Sequence, residues 1–142
     1  MTPNQLDLFN RPSFNRLNHD IKAAMNEAVK KSGLSRDQVL DRINELALRF
    51  GVRLVGGSGK ALTMDTLAKW LNVEEESRVP SFNGLAVFCA AIECNEPLAV
   101  MARLLGGKLI SDQDVNLLDW ARAYHKAKNL KKEMRELEAG IL

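Results

Sequence analysis

Three observations predict an all-α fold. Apolar residues recur at three- and four-residue spacing through most of the chain. Gly, Ser, Thr and Asp stand where helices need stops and caps. Only Val52–Leu62 carries a strand-like pattern, and Gly56, Gly57 and Gly59 break it.

The elements follow in order. Residues 1–15 read as a flexible N-terminal tail, because Pro3, Asn4, Asn10, Pro12, Ser13 and Asn15 oppose helix formation. Leu17, Ile21, Ala24, Met25, Ala28 and Val29 then form one apolar helical face. Gly33 ends that helix, and Lys30 and Lys31 suit its negative end. Ser35 caps a second helix whose inner side is Val39, Leu40, Ile43, Leu46, Ala47 and Phe50, with Gly51 as its stop. Residues 51–62 read as a mobile loop with weak strand character, since an isolated hairpin is marginal. Thr63 caps a short helix with Leu67, Trp70 and Leu71 inward, and Asp65 suits its first turn. Pro80 suits the first turn of a helix carrying Leu85, Phe88, Cys89 and Ile92. Another short helix runs from about Glu96 to Leu105 and stops at Gly106-Gly107.

Ser111 caps a last, long helix with Asp112 and Asp114 at its positive end. Trp120, Ala123, Ala127, Leu130, Met134, Leu137 and Ile141 alternate at three and four along it. That spacing makes a heptad seam of about three repeats. Such a seam suits either packing on the helix's own domain or self-association. The charged half beyond Lys126 favours a partner helix there, through Leu130, Met134, Leu137 and Ile141. The expected organisation is thus a tail (1–15), a bundle of about five helices (16–108) and a C-terminal helix (109–142).

The composition is that of an ordinary globular protein, 46% hydrophobic and 27% charged. This excludes a wholly disordered or collagen-like chain. A net charge of +2 permits a nucleic-acid partner without demanding one, so any such face must come from local clustering of Lys and Arg. Cys89 and Cys94 have no flanking His or Cys and read as small apolar core residues, which suits a reducing cytoplasm. No signal peptide, membrane span, metal or cofactor is expected.

Residues 62–98 join a short capped helix, an acidic turn (Glu74-Glu75-Glu76), Arg78-Val79-Pro80-Ser81 and a further apolar helix. Leu67 and Trp70 stand in aliphatic and aromatic places, followed by Arg78, Pro80, Ser81, Leu85, Phe88, Ala91 and Ile92. On these residues the chain, from Leu17 to Leu105, resembles the lambda-repressor-like (Cro/CI-type) helix-turn-helix family of phage and bacterial regulators. The resemblance implies a homodimer that lays the first turn of the helix after Thr63 in a major groove of double-stranded DNA. Thr63, Met64, Thr66 and Lys69 would then reach bases or phosphates. Ser35, Arg36, Lys60 and Arg78 would grip the backbone. Three features depart from the family pattern. The connection from Phe50 to Leu62 is long, Asp65 repels phosphate, and Glu74–Glu76 lie close by. An alternative register reads DNA with the helix from Ser81, but Phe82 and Asn83 have no basic neighbour beyond Arg78.

Gln5-Leu6-Asp7-Leu8-Phe9 resembles the bacterial sliding-clamp-binding peptide at all five positions. A polar tail cannot bury adjacent Leu and Phe locally but can insert them into a pocket on another protein. Leu8 and Phe9 would anchor, Leu6 support, and Gln5 clamp the pocket rim; the rival expectation folds these side chains onto the chain's own helices. The clamp reading gives an alternative function, a non-enzymatic adaptor at replicating or repaired DNA.

Enzyme chemistry is not expected. Gly56-Gly57-Ser58-Gly59-Lys60 fails as a phosphate loop, because Leu54 stands at its first glycine and Ala61 at its hydroxyl position. His19 and His125 are isolated, and Asp37/Asp41 and Glu133/Glu136 read as solvated helix faces.

Overall fold

The computed structural model describes residues 14–55 and 61–141. The chain divides into two units, Met1–Leu109 and Ile110–Leu142. Among the described residues every regular element is helical: α1 (Leu17–Ser32), α2 (Arg36–Phe50), α3 (Met64–Leu71), α4 (Phe82–Ile92), α5 (Glu96–Leu104) and α6 (Asp112–Ile141). One 3-10 turn, Phe14–Arg16, leads into α1 and overlaps the expected end of the tail.

In the first unit α1 packs against α5, α3 and α4, and α2 packs against α4 and α3. The shared core includes Met25, Val39, Ile43, Leu67, Trp70 and Phe88. These are among the positions the three-and-four spacing selects, since they return to one side of each helix; Phe50, expected on the same inner side at the end of its helix, is instead exposed. Phe88, Met25 and Leu67 are fully buried, each contributing roughly 1.5–3 kcal/mol of transfer free energy.

Local signals set the ends. Ser35 forms a complete capping box with Gln38: its hydroxyl accepts from the Gln38 N–H at 3.2 Å, and Gln38 Oε1 accepts from the Ser35 N–H at 2.9 Å. Gly51, at φ +65°, ends α2 in the left-handed region, and the Val52 N–H returns to Ala47 O at 2.9 Å. Beyond it the backbone is irregular where described, with no strand, and is anchored by buried Leu54 and Leu62.

Two boundaries differ from expectation. Pro80 lies one residue before the cap of α4 rather than in its first turn, because the Ser81 hydroxyl accepts from the Gly84 N–H at 3.0 Å and takes the cap position. α4 ends at Glu93, a non-glycine residue at φ +57°, where the sequence carries no stop signal. Burial pushes the Cys89 thiol up to about 11, and a hydrogen bond with the Leu98 backbone works against that rise.

The second unit contains α6, a 30-residue helix. The Ser111 hydroxyl accepts from the Asp114 N–H at 3.2 Å, and Asp112 and Asp114 occupy the first turn. No described residue of α6 is buried. Trp120 and Tyr124 stack, with ring centroids 5.5 Å apart. No helix among the described residues is long and apolar enough to cross a membrane.

Candidate nucleic-acid interface

α3 is held from both ends. At its start, Asn44 on α2 grips the backbone of Leu62: its Nδ2 donates to Leu62 O at 2.9 Å, and its Oδ1 accepts from the Leu62 N–H at 2.8 Å. Thr63 follows as the cap, its hydroxyl oxygen accepting from the Thr66 N–H at 3.2 Å and its proton directed to Thr66 Oγ1 at 3.1 Å. The hydroxyl proton of Thr66 remains for an outside acceptor.

At its far end, Lys22 on α1 is fully buried. Its ammonium donates to the carbonyls of Lys69 (2.7 Å), Asn72 (3.1 Å) and Arg78 (2.6 Å). A lysine has three donors, and three carbonyls meet them. Two belong to the last turn of α3 and the residue after it, where a helix leaves carbonyls unpaired and favours a cation. The third draws the chain back after the acidic turn. Burial lowers the pKa of this ammonium from its ordinary value, and the nearby Glu75 carboxylate opposes that shift. Asn26 adds a bond to Leu71 O at 2.6 Å, and Asn18 one to Glu76 O at 3.0 Å. α1 therefore fixes the whole path from 69 to 78.

With Leu67, Trp70 and Leu71 packed inward, Asp65 and Thr63 are exposed, and Thr66 and Lys69 are half-buried beside them. Met64 is half-buried against the core rather than fully outward. Lys69 pairs with Asp65 at 3.1 Å, so its charge is partly spent within the helix. Ser35 is committed to its capping box. Arg36 lines an open groove of about 690 Å³ with Lys30, Glu27, Ala68 and Leu71. Arg78 is exposed, its backbone set by Lys22.

The structure thus brings Thr63, Thr66 and Lys69 together on one short helix and sets Arg36 on a groove that the same helix lines. Lys60, and Gln5, Leu6, Leu8 and Phe9 of the tail motif, lie outside the described residues. Between Thr63 and Arg78, the carboxylates of Asp65, Glu74, Glu75 and Glu76 outnumber the cations of Lys69 and Arg78. Positive potential at α3 therefore depends on the neighbouring Lys30 and Arg36. In the alternative register, the start of α4 exposes Phe82 and Asn83. Among the described residues no cluster of three or more His, Cys, Asp or Glu is placed to hold a metal.

Sequence reading did not single out Lys22, Asn26 or Asn44. Lys22 had one available signal: it follows Ile21 and precedes Met25 by three, inside the apolar stripe of α1. Polar residues at such positions need buried partners. No family model, curated protein or solved structure matches this chain.

Proposed function

We propose that the protein binds double-stranded DNA as a sequence-specific regulator of the phage or bacterial kind, acting in the cytoplasm as a homodimer. The observation that carries this reading is the presentation of α3. Its inner face is packed, both ends are clamped, and its capped first turn is open to solvent. A rigid, solvent-facing helix start suits phosphate, and Thr66 and Lys69 beside it suit bases or phosphate. Arg36 and Arg78 supply backbone contacts.

The test is duplex affinity across a salt series. Affinity falls steeply between 50 and 200 mM salt if phosphates are neutralised, as is general for such contacts, by roughly 10³-fold or more for six or more of them. Lys69→Ala with Arg78→Ala weakens binding without unfolding the chain. Asp65→Asn strengthens it, by removing a repulsive charge and releasing Lys69. Salt-independent binding, or unchanged affinity in both variants, refutes the site.

A second reading is favoured by one sequence observation, the five-residue match at Gln5–Phe9. It makes the chain an adaptor for the replicative sliding clamp. Leu8→Ala with Phe9→Ala then abolishes clamp capture while leaving duplex binding unchanged.

A further inference from the structure

We propose that α6 pairs antiparallel with α6 of a second copy of this chain, with the two-fold axis crossing between Lys128 and Asn129. This rests on the homodimer of the preceding reading, and it fixes the orientation and register that the dimer leaves open. Within the second unit the seam has no partner helix: Trp120, Leu130, Met134 and Leu137 are each more than half exposed. Two arrangements of identical helices are open to it, and charge and volume separate them.

In a parallel pair each seam residue meets its own copy. Trp120 faces Trp120 in a crowded layer, and the next two layers, Ala123 with Ala123 and Ala127 with Ala127, are underfilled. The flanking positions pair five residues apart. Lys126 then meets Lys131 of the second copy, and Glu133 meets Glu138. Both contacts join like charges, and symmetry doubles each of them.

In the antiparallel pair Ala127 meets Leu130, Ala123 meets Met134, and Trp120 meets Leu137. Two of the three kinds of layer now match a small residue with a large one, which fills the space more evenly. The flanking contacts change sign. Lys126 meets Glu133 of the second copy, and Lys131 meets Tyr124, whose ring already stacks on Trp120. Every residue of the seam from Trp120 to Leu137 has a partner in this register, while Ile141, which the spacing also assigns to the seam, falls opposite Asn116 of the second copy. Lys128, Lys131, Lys132 and Arg135, which line one side of α6, come together from both copies on one face. Their mutual repulsion makes the pair stronger once salt screens it, so 0.15 M salt is the condition for measurement.

Sedimentation equilibrium of the full chain decides between the arrangements. Lys126→Glu and Glu133→Lys, made singly, each weaken the dimer about tenfold, since two opposite-charge contacts become two repulsive ones. The double variant, which restores opposite charges across the axis, returns the dimer to near its original strength. In a parallel pair the same single changes replace like charges with opposite ones and tighten the dimer. Tightening by the single variants therefore overturns the proposal, as does a wild-type chain that stays monomeric at every concentration. Because no DNA enters the measurement, its failure is separate from failure of the duplex reading.

Discussion

A lysine ammonium taken out of water is costly unless each of its donors is met. Lys22 meets that demand with carbonyls from Lys69, Asn72 and Arg78, and so converts a buried charge into a fastener for the segment after α3. Lys22→Met keeps much of the volume but leaves three carbonyls without their donor. We expect it to destabilise the fold by about 2–4 kcal/mol in denaturant unfolding, the range for breaking a buried charged network. Faster amide exchange confined to residues 69–78 accompanies the loss. A variant as stable as the parent, with unchanged exchange, contradicts the role given to Lys22. Asn44 works on the same logic at the other end, mimicking a backbone neighbour for Leu62 through paired bonds. α3, the proposed reader, is therefore positioned by side chains outside the proposed contact set.

At the scale of elements, α3 is held to α4 by one close approach. A Cβ built on Gly84 lies 2.9 Å from Cη2 of Trp70 and 3.2 Å from Ser81 Oγ. The indole ring is in the core and cannot swing away. Gly84→Ala is expected to cost about 1–3 kcal/mol, the range for overpacking, despite the better helix propensity of alanine. A gain in melting temperature for this variant would show that the α3–α4 contact is looser than described. The helices themselves were legible in the sequence because caps and stops are local: Ser35, Gly51, Thr63 and Ser111 act where the chain pattern places them. Pro80 and Glu93 were not, for opposite reasons. Ser81 outcompetes Pro80 as the start of α4, and exposed Glu93 takes a left-handed conformation, closed by the Cys94 N–H returning to Cys89 O at 3.0 Å, that no residue type announces. The clamps were hidden for a third reason. Asn44 pairs with a residue 18 positions away and Lys22 with carbonyls 47–56 positions away, and periodicity carries no information about such partners.

At the scale of the whole molecule, a near-neutral chain has to concentrate its cations to hold a polyanion. Its cations gather in two places: Lys30 and Arg36 on the groove beside α3, and the Lys128–Arg135 side of α6. In the proposed function, Asp65 and the acidic turn between Glu74 and Glu76 would limit nonspecific affinity at α3 and leave recognition to contacts made by the first turn. A homodimer repeats that turn, and symmetric pairs of readers select symmetric sites. The most direct measurement is selection of bound fragments by the full chain from a random pool of duplex DNA at moderate salt. The expected result is enrichment of an inverted repeat, lost when Lys69 and Arg78 are both changed to Ala. Recovery of an unenriched pool, or of no fragments, contradicts it.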